Sequence, residues 1–303
     1  MNDHRASPRA FSLFVAAFSL ACIADTNASG DCEKYWEELY SARAHLNLAD
    51  FRRKVIEALD NASCSAEQRR KISRDAVLAH IEAASHLPLN ERLSVYESAI
   101  RFGRPWQLLE AMGVLLQTKR QDAEQDFSGA SQLFQEALSD VQNAQAAARA
   151  NNEDVLRILR LAQQSRFLSP VFVRGSNFGI ETRGIKVQSA IVPIQFIRDS
   201  DTMTGLGAKY ADELVAYLRA KQLPRLLIIG HTDHDGRDSY NLALSRRRAN
   251  TVKSFLMTNG YGADRIKTTG KGYHEPIKLE NAESFDDDQV KQLLRRVEVQ
   301  IVP

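Results

Sequence analysis

The segment from Gly230 to Gly260 constrains this chain most, because it joins a buried strand, a tight polar loop and a long amphipathic helix within one stretch of sequence. The apolar run LLIIG, residues 226 to 230, reads as the strand. It passes directly into HTDHDG, so the loop leaves the sheet at a fixed height and is well placed to hold a ligand. In the helix that follows, positions seven apart return to nearly the same azimuth. Asn241, Leu244 and Arg248 therefore share one stripe, which continues through Val252 and Phe255. The stripe is polar where it meets the loop and apolar at its far end.

Asp233 on the loop and Arg248 on the helix bring opposite charges to the mouth of this strand and helix. Such a pair suits a zwitterion, the carboxylate taking an ammonium and the guanidinium forking onto a carboxylate. Taken alone, an Asp and an Arg so placed most often form a surface or loop-fixing salt bridge worth about 0 to 1 kcal/mol. A casual ion pair does not require the neighbouring glycines, Thr232, Asn241 and the RRVE run at 295 to 298, all of which are present. Arg246 and Arg247 point off the stripe and are expected on a solvated face.

Five motifs in order carry a family resemblance: QFIRDSDTMT (195 to 204), GHTD (230 to 233), YNLALSRRRA (240 to 249), KGYHEPI (271 to 277) and RRVEVQIV (295 to 302). Over roughly the last 115 residues the chain resembles the peptidoglycan-binding C-terminal domain shared by OmpA, Pal and the flagellar stator protein MotB. The resemblance implies that Asp233 binds the amine of diaminopimelate in a peptidoglycan stem peptide and that Arg248 binds its carboxylate. It places Asn241, Asp199, Thr232 and Leu244 around them as secondary contacts. Arg198 departs from the family pattern, standing where an apolar residue is usual, and Glu275 and Pro276 sit closer to Gly272 than in the usual turn.

The N-terminus carries Arg5 and Arg9, then an apolar run from 10 to 24, then DTNASG, the order of a secretory signal peptide cleaved after Ala24 or Ala28. The run is shorter than the roughly 20 residues of a spanning helix. SLAC at 19 to 22 fits a lipoprotein signal poorly, because Leu20 lies one place too close to Cys22. Export would bring the protein to the periplasm of a Gram-negative bacterium, in reach of peptidoglycan and of the outer membrane. Cys32 and Cys64 then remain as a pair suited to an oxidising compartment and are expected to form a disulfide.

The expected fold is α+β, with an N-terminal all-α region of antiparallel helices and a C-terminal mixed sheet covered by helices. Residues 1–28 read as signal, 29–166 as helical, 167–187 as a linker and 188–303 as the binding domain. Breaks fall at Asn61 to Ser65, Pro88 to Asn90, Gly103 to Pro105 and Asn151 to Asn152. Trp106, Leu109, Ala130, Phe134 and Ala137 echo the interlocking of tetratricopeptide helices, more faintly repeated at Trp36, Leu39, Phe51, Val55 and Ala58. A plain bundle would use the same residues as core. Strands are expected near 188–197, 224–231, 264–270 and 295–302, with helices near 205–221 and 238–259. The stretch Ser169 to Gly184, with Val171, Phe172, Val173, Phe178 and Ile180, could pack as an extra hairpin.

A formal charge of +2, from 40 basic and 38 acidic residues, argues against a nucleic-acid partner. GLGAK at 205 to 209 lacks the phosphate-loop pattern, so no nucleotide is expected. His231, Asp233, His234 and Asp235 crowd together, but adjacent positions on an extended loop face opposite sides, and no metal or cofactor is expected. The expectation is thus a non-enzymatic tether that binds peptidoglycan and offers its helices to another envelope protein. The alternative is a metal-dependent cell-wall hydrolase using His231, His234 and Asp235.

Overall fold

The computed structural model describes Cys32 and residues 48–61, 63–146, 149–175, 181–182, 185–186 and 189–302. The expected signal peptide, Trp36, Leu39, Phe178 and Ile180 lie outside these residues.

The described N-terminal region includes six longer helices: α1 (Leu48–Asp60), α2 (Ala66–Ser85), α3 (Leu89–Ala99), α4 (Trp106–Gln117), α5 (Phe127–Ala146) and α6 (Asn152–Leu168). Their starts follow from local chemistry. Ser65 and Gln68 form a capping box on α2, Asn151 and Asp154 form another on α6, and prolines 88 and 105 directly precede α3 and α4. Phe51, Val55, Ile72, Val77, Tyr96 and Phe102 fill a first core. Trp106, Phe134, Val141, Val155 and Ile158 fill a second, where Gly113 leaves room for the Phe134 ring against α4. A Cys32–Cys64 disulfide, Cα atoms 5.3 Å apart, joins two residues buried in the first core.

The C-terminal region is a four-stranded mixed sheet of β3 (Ser189–Val192), β4 (Arg225–Gly230), β5 (Ile266–Gly270) and β6 (Val297–Val302) in the order β3-β6-β4-β5. β4 and β5 run parallel, while β6 is antiparallel to both β3 and β4. Helices α7 (Gly205–Ala220) and α8 (Asp238–Thr258) pack Tyr210, Leu214, Leu218, Val252 and Leu256 onto Leu226, Ile228, Val297 and Val299 of one sheet face. The architecture is α+β, as the alternation of elements implies. Strand β3 is shorter than the sequence suggests, stopping before Pro193, which has no N–H to donate to the ladder.

A short helix, α9 (Asp287–Leu294), precedes β6. It buries Leu293 with Phe127, Phe167 and Leu168 of the helical region, and Ile191, Leu279 and Phe285 pack around them. Helix α6 runs two residues into the stretch read as a linker, and the chain beyond it is held down. The Val173 N–H donates to Tyr210 Oη at 3.2 Å, and buried Arg166 pairs with Glu213 while its guanidinium lies 4.8 Å from the Tyr210 ring. Further along, β1 (Glu181–Thr182) and β2 (Ile185–Lys186) pair antiparallel.

Candidate ligand-binding site

The site lies at the C-terminal end of β4, and two glycines set its depth. Gly230 and Gly270 are register partners on β4 and β5. A Cβ on either would run into the α8 backbone at Ser245 or Arg246, so bare glycines let the helix settle directly on the sheet. Ser245 locks the contact, its Oγ donating to Leu242 O at 2.9 Å and accepting the Gly272 N–H at 3.0 Å. The loop after β4 is pinned on both flanks: the His231 N–H donates to Arg296 O and the Thr232 N–H to Gly272 O, each at 2.9 Å.

Asp233 is only 8% exposed. Its Oδ1 accepts the Asp235 N–H at 3.1 Å, and its Oδ2 accepts Arg295 Nη1 at 2.6 Å. Asn241 closes the loop by donating from Nδ2 to Asp235 O at 2.9 Å. Leu244 is buried on the same stripe of α8.

Arg248 is 1% exposed, yet among the described residues it forms no ion pair with Asp233. Its Nε donates to the carbonyl of Ser200 at 3.0 Å and its guanidinium stacks 5.2 Å from the Phe196 ring, while Nη1 is buried with no hydrogen-bond partner among the described residues. Burial, with Arg295 adding to it, lowers this guanidinium to about 10 against the pull of Asp233, Asp199 and Tyr240. It remains charged at neutral pH. A buried cation with a free donor, close enough to a carboxylate to feel its charge, is suited to receive an anion. Among the described residues the Thr232 hydroxyl is likewise buried without a hydrogen-bond partner.

The loop from 195 to 204 supplies the wall beneath Arg248. It folds back at a bridge between Phe196 and Met203, the Ile197 N–H donates to Thr202 O at 2.9 Å, and Asp199 turns the chain with φ of 52°. Arg198 and Asp199 are exposed at that turn, so the family's apolar preference at 198 has no core to fill here. Asp199 contributes its backbone carbonyl, which accepts Tyr240 Oη at 3.4 Å.

Asp233, Arg248, Asn241, Thr232 and Leu244 are thus gathered at one end of the sheet. The histidines are not gathered. His231 is buried with Nε2 3.5 Å from Glu298 Oε1, while His234 is exposed, and among the described residues no group of three His, Cys, Asp or Glu side chains is set to hold a metal. Burial, then Arg296, drives His231 down to about 4, so it stays neutral. Arg247 lies outside the site, exposed, 3.8 Å from Asp201.

Arg295 is the residue that motif reading left without a role. Its signal was topological: Val297 pairs with Gly230, so a residue two places before β6 arrives beside the loop that follows β4. Lys291 belongs with it, its Nζ 3.0 Å from Asp235 Oδ2. That contact holds the Asp235 carboxyl below the usual range.

Residues 195–288 match the OmpA family, and the chain carries an OmpA-family domain there. It is 36% identical over 104 residues to an outer membrane protein A of Bordetella avium, covering 34% of this chain and 51% of that protein. It is 34% identical over 91 residues to a peptidoglycan-associated lipoprotein of Haemophilus influenzae, covering 30% of this chain and 60% of that protein. Among solved structures, the peptidoglycan-associated lipoprotein of Burkholderia pseudomallei aligns at 26% identity with a TM-score of 0.31, covering 38% of this chain and 90% of that one. The chain spans about half to three fifths of the length of these two curated relatives.

Proposed function

We propose that this protein binds peptidoglycan without cleaving it, holding the diaminopimelate of a stem peptide between Asp233 and Arg248. In this reading the protein works in the periplasm of a Gram-negative bacterium as a tether, with the helical region turned toward another envelope protein. The observation that carries it is the unpartnered Nη1 of buried, charged Arg248, in an OmpA-family domain similar to that of a peptidoglycan-associated lipoprotein.

Arg248 receives the ligand carboxylate, because a buried donor left unsatisfied is costly until an acceptor reaches it. Asp233 receives the ammonium, sharing with Arg295 the Oδ2 atom that faces it. Thr232, Asn241, Leu244 and the Asp199 turn complete the wall. Each charge-assisted bond contributes roughly 1.5 to 3 kcal/mol. Single sites of that strength are modest, and retention on a polymer grows through many of them. Asp233→Ala and Arg248→Ala are each expected to lose retention on isolated sacculi while keeping native far-UV dichroism. Wild-type retention by both variants would refute the assignment.

A further inference from the structure

Helix α9 makes two sets of contacts that belong to different parts of the molecule. Toward the loop after β4, Lys291 pairs with Asp235 and Arg295, just past the helix end, pairs with Asp233. Toward the N-terminal helices, Leu293 is buried against Phe127, Phe167 and Leu168, and Gln289 Nε2 donates to Gln125 Oε1 at 2.8 Å. Gln125 is itself a junction. Its Nε2 donates to Gln117 O at 2.6 Å, at the end of α4, and to Ser284 O at 2.8 Å, in the turn leading to α9. Thr118 Oγ1 lies 3.3 Å from the hydroxyl of the same Ser284.

An isolated helix of two turns is marginal in water, so its position is decided by what it packs against. Leu293 is the buried residue of α9, and much of its surroundings comes from the helical region. The two cations at the loop therefore sit on or just beyond a helix whose seat the helical region shares with the sheet. Asp233 needs that placement, because Arg295 fixes one of its two carboxylate oxygens.

We propose that the N-terminal helical region is a positioning element of the ligand site, acting through α9, with Gln125 and Leu293 as its positioning residues and Arg295 as the strut they aim. The inference rests on the peptidoglycan reading, whose ligand it adopts. Coupling of this kind is lost when the docking contact is cut, although no group near the ligand has changed.

The test is a double-mutant cycle in the full chain, with calorimetric titration of a soluble stem tripeptide ending in diaminopimelate. Gln125→Ala is expected to weaken binding roughly three- to tenfold. In an Arg295→Gln background the same change is expected to do almost nothing, because the strut it aims is gone. Phe127→Leu, which keeps an apolar side chain at the interface, is a second variant and should follow the same pattern. Unchanged affinity in both Gln125→Ala and Phe127→Leu overturns the proposal, and so do effects that simply add to that of Arg295→Gln. Asp233→Ala is titrated in parallel. If it binds like the wild type, the ligand reading itself fails; if it loses binding while the cycle is additive, only the positioning role fails.

Discussion

Replacing Gly230 by alanine separates the close helix–sheet seat from generic glycine effects. The Cβ that Gly230→Ala introduces would stand 2.0 Å from the carbonyl oxygen of Ser245, and contacts under 3.0 Å essentially never occur. The obstacle is backbone in the middle of α8, so no side chain can swing aside and the helix must retreat by about 1 Å, the difference between those distances. Overpacking on this scale costs about 1 to 3 kcal/mol. It also lifts Asn241 and Arg248 from the loop they face, and a misplacement of about 1 Å degrades a site whose contacts are directional. Gly205 is the control, since a Cβ at this first residue of α7 meets nothing within 4 Å. There alanine should be neutral or stabilising by up to about 1 kcal/mol, through helix propensity and a less flexible unfolded chain. Urea denaturation and sacculus binding measured on both variants decide the matter. Equal midpoints and equal retention for Gly230→Ala and Gly205→Ala would refute the argument that the bare strand end seats the helix.

Three further expectations follow from the same geometry. His231 is held near 4 in the fold and near 6.5 when unfolded, so between those values the unfolded chain binds the extra proton. Stability should fall as pH drops from about 6.5 to 4, by up to roughly 3 kcal/mol, and His231→Gln should flatten urea midpoints across that window. Reducing the Cys32–Cys64 bond releases a loop closed over a separation of 32 residues. The chain-entropy model puts the loss at about 3 to 4 kcal/mol, to be read as a lower thermal midpoint in reductant that Cys64→Ser does not show. Arg248→Lys keeps the charge but loses the planar fork and the stacking on Phe196, so stem-peptide affinity should drop at least about tenfold rather than be preserved.

In the proposed reading, Arg248 is oriented for a carboxylate before any ligand arrives. A guanidinium this buried would ordinarily be paired, and among the described residues the carboxylate that acts on it most strongly, Asp233, is bonded to Arg295 instead. The carbonyl of Ser200 and the face of Phe196 hold it in one orientation while leaving Nη1 free. The cost of burying that donor without a partner is met by the packing of the domain. A carboxylate that reaches it removes this penalty as well as forming the bond.

The parts of this arrangement that were legible in the sequence are those fixed locally. A strand running into a polar loop and then a helix stripe placed Asp233, Asn241, Leu244 and Arg248 together, because the 3.6-residue period and the strand end decide it within thirty residues or so. Helix breaks at Asn61 to Ser65, Pro88, Gly103 to Pro105 and Asn151 were equally local, since capping side chains and missing N–H groups act on the turn that contains them. Arg295 was not legible in its role, because its approach to Asp233, 62 residues away, depends on β6 lying antiparallel beside β4, which no periodicity encodes. The docking of α9 on the helical region was hidden for the same reason. Gln125 and Gln289 are ordinary half-polar helix and loop residues until they face each other across 164 positions. Where a function rests on such long-range contacts, sequence motifs name the ligand groups and the fold decides what holds them in place. The cycle joining Gln125 to Arg295 therefore probes the part of the site that local pattern could not reach.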